Sequence, residues 1–388
     1  MPTFYLILST LALFIGLLIT YWVHSRLGLE IIVEPVPPPH NAPLVSVIVP
    51  ARDEARNIRR CVQALLDQSY PEIELIVVDD RSRDGTSAIL ANLQAKNSRL
   101  TVVPGEHLPP GWAGKPHALI QGVSVAQGTW LCFVDADTFA SPELIASAYA
   151  ATQAKQADLL TLLTEQELGS FWEKVVLPLI FTALSFGFPA HKVNDPLTPD
   201  AIANGQFILI KREVYQAVGG HTAVRARVDE DKALAEIVKR GGFRLVVADG
   251  RYLVRTRMYT SLPEIWEGFT KNIFLGLQDR LGLLTFGAAV AFLGALALPL
   301  WLLAGLFWIG AGGGLPAAIV TLEAILVWGY LIYKRIQAGR AFHLSTGYAF
   351  TLPLGAAIFA VMMFVSGFNV ISGRGVTWKG RRYTRSSE

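Results

Sequence analysis

The stretch Ile73–Thr86, IELIVVDDRSRDGT, decides the fold. Residues 73–78 are rich in branched apolar side chains and form a strand that two aspartates close. Asp84-Gly85-Thr86 then supplies a turn and a helix start, with the helix running to about Lys96. The same unit recurs on either side. Upstream, Val45–Val49 is a buried strand followed by a helical stretch over 54–67. Downstream come a short strand Leu100–Val103, a helix Pro116–Ala126 and a strand Trp130–Val134. Strands alternating with helices predict an α/β fold with a mainly parallel sheet covered by helices. In such sheets ligands bind beyond the carboxyl ends of the strands.

Outside this core the composition changes. Of 388 residues, 52% are hydrophobic and only 17% charged, a balance that points to a membrane part. Residues 4–23 carry no charge and are long enough to cross a bilayer, and the small-residue cleavage site of a signal peptide is missing after them. They read as an N-terminal transmembrane anchor (1–23), followed by a Pro-rich linker (24–44). Residues 45–280 read as a cytoplasmic domain. Three further apolar segments, about 283–309, 315–333 and 346–372, make a C-terminal transmembrane region (281–373), and 374–388 form a basic tail. Lys334, Arg335 and Arg340 belong on the cytoplasmic side by the positive-inside rule. A simple fourth crossing would carry the basic tail outside, so either 346–372 is re-entrant or bent, with Pro353 as a candidate break, or the rule fails here. The stretch Leu168–Ala190 is strongly apolar inside the soluble region. Pro178, Gly187 and Pro189 argue against one continuous spanning helix, leaving an element lying on the bilayer or a buried core helix. The helix over Leu262–Gln278, with Trp266, Phe269 and Phe274, admits the same two readings.

The net charge of +3 is too small to argue for nucleic acid. Two cysteines, Cys61 and Cys132, give neither a metal-ligand spacing nor a disulfide framework.

Acidic residues gather at the predicted strand ends. Pro50-Ala51-Arg52-Asp53-Glu54 follows the first strand and Asp79-Asp80 the second. Carboxylates there can hydrogen-bond a nucleoside, although a strand ending in two aspartates is also an ordinary structural feature. Asp135-Ala136-Asp137 follows Trp130–Val134. Alternate carboxylates suit Mg²⁺ or Mn²⁺ and, through the ion, phosphate oxygens, while such triplets also occur in plain turns. Asp229-Glu230-Asp231 opens the helix Lys232–Lys239. Acids at that position complement the helix dipole and can equally act as a general base. Gly111-Trp112-Ala113-Gly114-Lys115 puts a cation and free amides before a helix without the spacing of a P-loop.

Together and in this order, VSVIVPARDEARNI, LIVVDDRSRDGT, GWAGKPHAL, WLCFVDADT and DEDKALAEIVKRGG resemble the family 2 glycosyltransferases of the GT-A fold. VNDP (Val193–Pro196), EIWEGFTKN (Glu264–Asn272) and the tail GVTWKGRRY (Gly375–Tyr383) are similar to bacterial members acting on lipids, the hopanoid-associated and carotenoid-acid (diaponeurosporenoate) glycosyltransferases. The resemblance implies roles. Ala51, Glu54 and Asp80 line a nucleoside pocket and Asp79 supports its turn. Lys115 approaches the donor diphosphate, Asp135 lies near ribose and metal, and Asp137 ligates the metal. Asp231 is the catalytic base with Glu230 beside it. The implied enzyme is a metal-dependent inverting transferase, using Mg²⁺ or Mn²⁺, that moves a sugar from a UDP-sugar to a lipid acceptor at the inner membrane. Two departures matter. No Arg-Trp dipeptide occurs, which counts against the alternative of a polysaccharide synthase, and Asp53 stands where Asn is common. A non-catalytic membrane scaffold is the remaining alternative, and the retained acids Asp80, Asp135, Asp137 and Asp231 argue against it.

Overall fold

The computed structural model describes residues 31–276, 299–374, 376–378 and 381–383, with single positions 10, 11, 14, 287 and 297 besides. Most of the anchor 1–23, part of the linker 24–44 and most of the segment 283–309 therefore lie outside the described residues.

By internal contacts the chain divides into two units. One comprises Gly28–Glu167 and Phe188–Met258; the other comprises Met1–Leu27, Leu168–Gly187 and Tyr259–Glu388. Leu168–Gly187 and the chain from Tyr259 thus group with the C-terminal helices and not with the sheet.

In the sheet unit the chain runs β1 (Val45–Ala51), α1 (Ile58–Leu66), β2 (Ile73–Asp79), α2 (Thr86–Gln94), β3 (Leu100–Pro104), α3 (Gly114–Val125) and β4 (Trp130–Val134). Then come β5 (Thr138–Ala140), α4 (Leu144–Lys155), β6 (Leu159–Leu163) and β7 (Glu165–Gln166). After α5, which belongs to the other unit, follow α6 (Ala190–Asn194), β8 (Phe207–Lys211), α7 (Arg212–Ala217), α8 (Gly220–Ala223), α9 (Glu230–Arg240), β9 (Leu245–Asp249) and β10 (Val254–Thr256). Seven strands form one sheet in the order β3-β2-β1-β4-β8-β6-β9. All neighbours are parallel except β8, which runs antiparallel to both β4 and β6. This is the mainly parallel sheet the alternation predicts, with a single reversed strand. A small second sheet, β5-β10-β7, was not signalled by the sequence because its strands are two or three residues long.

Strand periodicity builds a core on each face. Val45, Val47, Val49, Leu75, Val77, Cys132 and Val134 pack into one buried cluster, while Ile48, Ile76, Val78, Leu131 and Phe133 pack into the other. The apolar runs of β1, β2 and β4 are continuous because both faces are covered. Their carboxyl ends are the first places where a polar side chain escapes the core.

In the helical unit, α5 (Phe171–Gly187), α10 (Leu262–Gly276), α11 (Pro299–Gly310), α12 (Gly314–Arg340) and α13 (Leu352–Ile371) are joined by a 3₁₀ turn Thr346–Thr351 and a hairpin β11 (Val376–Trp378) and β12 (Arg381–Tyr383). Helix α5 continues through Pro178 and stops at Gly187, ahead of Pro189. Val175, Val176, Leu177 and Ile180 are buried, so this helix packs within its unit on one face while Phe171 and Leu184 stay exposed. Phe269 of α10 is likewise buried, against the rings of Phe181 and Tyr259. Pro353 does not break the last segment but sits in the first turn of α13, where its missing N–H costs nothing. Two helices, Gly314–Arg340 and the segment Thr346–Asn369, are long and apolar enough to cross a membrane.

Candidate active site

Three strand ends of the sheet unit carry the predicted side chains. At the ends of β1 and β2, the amide of Asp80 donates to the carbonyl of Ala51 at 2.8 Å and the Arg52 guanidinium reaches Asp80 Oδ2 at 3.4 Å. The two loops are stitched together. Asp53 Oδ1 accepts from the amide of Arg83 at 2.7 Å, and Ser82 Oγ accepts from the amide of Asp53 at 3.0 Å. Asp53 and Arg81 both adopt positive φ, 54° and 55°, a conformation that costs energy for a side-chain-bearing residue and is retained where surrounding contacts over-determine it. Asp79 is consumed by the turn, accepting from the Ser82 amide at 3.1 Å and from the Ser87 hydroxyl. Asp84, just before the Gly85 N-cap of α2, accepts from the amides of Thr86 and Ala55, each at 2.9 Å. Glu54 stays half-buried at this edge, with Asn57 Nδ2 donating to its Oε2 at 3.2 Å.

The second cluster lies at the end of β4. The register pairs Val134 with Phe207, which brings the loop before β8 alongside Asp135. Lys115, in the first turn of α3, extends its ammonium between Asp135 Oδ1 and Glu230 Oε1, 2.7 Å from each. Asp231 is held differently. Its Oδ2 accepts from the amide of Gly205 at 2.9 Å and its Oδ1 from the amide of Lys232 at 2.7 Å. A Cβ at position 205 would stand 2.8 Å from Lys115 Nζ and 3.0 Å from Asp231 Oδ2, so only glycine lets these two charges meet there. The third acid, Asp229, turns away to pair with Arg227. One short acidic run thus sends its side chains to three different partners.

The charges shape one another. Burial alone would pull the Lys115 ammonium down; Asp135, Glu230 and Asp231 outweigh it and hold it well above its ordinary value. Burial pushes Glu230 up to about 7 against the opposing pull of Lys115. Asp231 is raised as well, by burial, with Lys115 and its two amide donors working the other way. A carboxylate of raised proton affinity, fixed by two backbone donors, is suited to general-base work.

Asp137 is half-buried at the turn after β4. The buried Cys61 thiol ties this turn to the first edge. It contacts the Asp135 carbonyl at 3.7 Å, and burial pushes it far up, with Asp137, Glu54 and Asp135 adding to the rise. The structure therefore gathers Lys115, Asp135, Glu230 and Asp231 around one cleft. Ala51, Glu54, Asp79 and Asp80 lie along the neighbouring β1–β2 edge.

As a metal site, Asp135 and Asp137 offer hard oxygen donors, and Asp135 already faces a cation, the Lys115 ammonium. Among the described residues no three His, Cys, Asp or Glu side chains converge as a self-sufficient cage. That donor set fits Mg²⁺ or Mn²⁺ held by one or two carboxylates and completed by substrate phosphates.

The cleft contains residues that the sequence reading missed. Pro50, Phe133, Gly205, Ile208 and His221 line it beside the charged cluster. His221 is buried with its ring edge-on to Phe133 at 4.8 Å. The Tyr215 hydroxyl accepts from the His221 amide at 3.0 Å and lies 2.9 Å from Nδ1. Giving its single proton to Nδ1 uses the hydroxyl fully and, by this hydrogen-bond network, leaves the ring proton on Nε2. Burial and the Lys115 charge pull the imidazole down to about 3, so it is a neutral donor. The signal for it was Gly219-Gly220-His221, a pair of glycines followed by a histidine just before the acidic run.

Residues 46–219 match the family described as Glycosyl transferase family 2. A 4,4'-diaponeurosporenoate glycosyltransferase of Staphylococcus aureus (strain USA300) is 27% identical over 266 residues, covering 66% of this chain and 69% of that protein. Among solved structures, a mannosyltransferase from Pyrobaculum calidifontis in complex with GDP-Man and Mn²⁺ superimposes with a TM-score of 0.53 at 19% identity, over 95% of this chain and 99% of that one. At that identity the likeness concerns the fold, which is of the GT-A type.

Proposed function

We propose that this chain, whose residues 46–219 are a family 2 glycosyltransferase domain, transfers a sugar with inversion from a UDP-sugar to a lipid acceptor in the inner membrane, with the sheet unit on the cytoplasmic side. The observation that carries the reading is the arrangement of Lys115, Asp135, Glu230 and Asp231 at the carboxyl end of β4. The nucleoside of the donor lies along the edge of Ala51, Glu54 and Asp80, over the loops that Asp53 and Asp79 hold in place. Its diphosphate competes with Asp135 and Glu230 for the Lys115 ammonium. Asp231 accepts the proton of the acceptor hydroxyl or acid. The acceptor oxygen then bonds to the anomeric carbon from the face opposite the leaving group. The bond from that carbon to the phosphate oxygen breaks, and its electron pair leaves with the nucleoside diphosphate. Asp135 and Asp137 would hold a divalent ion, which would supply charge neutralisation for that departing group. Lys115 supplies the same from the protein side.

A lipid acceptor is supported by the two helices long enough to cross a membrane and by exposed apolar side chains on the helical unit, such as Leu303, Phe307, Leu315 and Leu326. The named acceptor of the staphylococcal relative is a carotenoid acid, which fits a lipid-phase substrate.

The test is transfer itself. Purified full chain in detergent is incubated with radiolabelled UDP-glucose, Mn²⁺ and a total lipid extract of its host. Label in a solvent-extractable lipid is expected, and mass spectrometry then names the acceptor. Label in a long water-soluble polymer would replace the reading with a polysaccharide synthase. No transfer from any nucleotide sugar would refute it.

A further inference from the structure

Within the helical unit, Arg335 of α12 is only 5% exposed. Its position is set by a defect in a neighbouring helix. Pro178 has no N–H, so the carbonyl of Lys174, four residues earlier in α5, loses its helical partner. Arg335 Nη2 donates to that carbonyl at 2.9 Å and lies 3.5 Å from the next one, Val175. The approach is close on the other side too, since a Cβ at Gly355 of α13 would sit 2.6 Å from the Val175 carbonyl. Arg335 is therefore why α5 stays continuous through a proline.

One carbonyl does not account for a guanidinium, which carries five N–H donors. Arg335 Nε and Nη1 are buried and have no hydrogen-bond partner, and no carboxylate pairs with Arg335 among the described residues. A buried donor left without a partner forfeits its hydration uncompensated, the more so on a charged group. Charged residues flank it in sequence on α12, and α5 carries the buried Glu173 beside Lys174. Lys334 precedes it, Arg340 closes α12, and Lys174 Nζ stands over the Tyr348 ring at 5.6 Å. Helix α12 has 27 residues, about 40 Å at 1.5 Å per residue, against a hydrocarbon core of about 30 Å. Five residues, about 7.5 Å, from its end, Arg335 falls near the edge of such a core when α12 crosses a membrane.

We propose that Arg335 is the floor of an oxyanion site for a membrane amphiphile, taking a phosphate or carboxylate oxygen on Nε and Nη1 while Nη2 holds the Lys174 carbonyl. The site rests on the membrane reading of α12 but not on sugar-transfer chemistry. It binds its ligand whether or not the chain turns over a donor.

The test is spin-label EPR on the full chain reconstituted in phosphatidylcholine, comparing the protein-immobilised fraction of labelled phosphatidic acid, labelled stearate (held ionised at alkaline pH) and labelled phosphatidylcholine. In about 0.5 M salt, which screens surface cations but not a buried one, the anionic labels are expected to associate at least about threefold more strongly than the neutral one. Preference for the phosphate label identifies a phospholipid, and preference for stearate identifies an acid. Arg335→Gln should bring the ratio to about one, and Lys334→Gln should leave it unchanged. Because Arg335→Gln also orphans the Lys174 carbonyl, the same substitution is made together with Pro178→Ala, which restores an amide to that carbonyl. A ratio near one in the wild type at high salt, or an unchanged ratio in the double variant, would overturn the site. Lipid selectivity without any sugar transfer would instead remove the proposed reaction and leave the site standing.

Discussion

The two units handle buried charge in opposite ways. In the sheet unit every charge of the cluster is answered by the protein itself. Lys115 bridges Asp135 and Glu230, and Asp231 is gripped by two amides. In the helical unit Arg335 answers a backbone defect with one nitrogen and leaves two without a partner. The first arrangement is complete within the protein, so in the proposed reaction a donor breaks its ion pairs to bind, and their energy becomes available for discrimination between bound states. The second is incomplete without ligand. A charged cluster that closes on itself is poised for chemistry, whereas one that remains open is poised for binding.

The largest effect that would break this comparison concerns Lys115. Lys115→Ala removes the cation that three carboxylates share, and transfer is expected to fall by about 10²–10³ in steady-state assays. Stability should fall by about 1–3 kcal/mol, less than for a fully buried pair because the Lys115 side chain is 32% exposed. Unchanged turnover would mean the cluster is structural only.

Next in size is the coupling across α5 and α12. Singly, Arg335→Gln destabilises the chain by orphaning the Lys174 carbonyl, and Pro178→Ala is close to neutral. In the double variant the damage is partly repaired, with a coupling of about 1–2 kcal/mol in unfolding midpoints measured in detergent. Strict additivity would show that Arg335 is not serving the proline defect.

The smallest effect is a slope with pH. Glu230 has its folded value raised to about 7 from 4.5, so its contribution to stability is fully present below the lower value and is lost as pH rises through the upper one. The melting temperature of the wild type relative to Glu230→Gln should therefore decline between about pH 5 and pH 8. His221 shifts the other way, but it is common to both proteins and cancels in the difference. A flat difference would mean that Glu230 is ionised throughout.

The parts of the molecule legible in the sequence were those governed by local pattern. Ile73–Asp79 and Trp130–Val134 are strands where the apolar runs placed them, and the acids that follow reach the same sheet edge because parallel strands share a direction. The parts that were not legible depend on partners distant in sequence. Pro178 argues against a continuous helix until Arg335, 161 residues after Lys174, supplies a donor to the Lys174 carbonyl. Gly205 reads as a loop residue until Lys115 and Asp231 converge on it. His221 has only the glycine pair before it as a signal, and its role emerges from the Tyr215 hydroxyl that sets its tautomer. Asp79, by contrast, spends its acceptors locally, on Ser82 and Ser87 within the turn that the resemblance already gave it to support.

The central claim is that the cluster at the end of β4 performs the transfer, and Asp231→Asn tests it most directly. Asn keeps the size of the side chain and an acceptor for one of the two amides, but it cannot take up the acceptor's proton. Rate of label transfer and Mn²⁺-dependent nucleotide binding are measured on the same preparations of wild type and variant. A loss of about 10²–10⁴ in rate with nucleotide binding intact is the predicted result. Transfer at the wild-type rate by the variant would contradict the assignment of Asp231 as the base, and with it the account of how this site works.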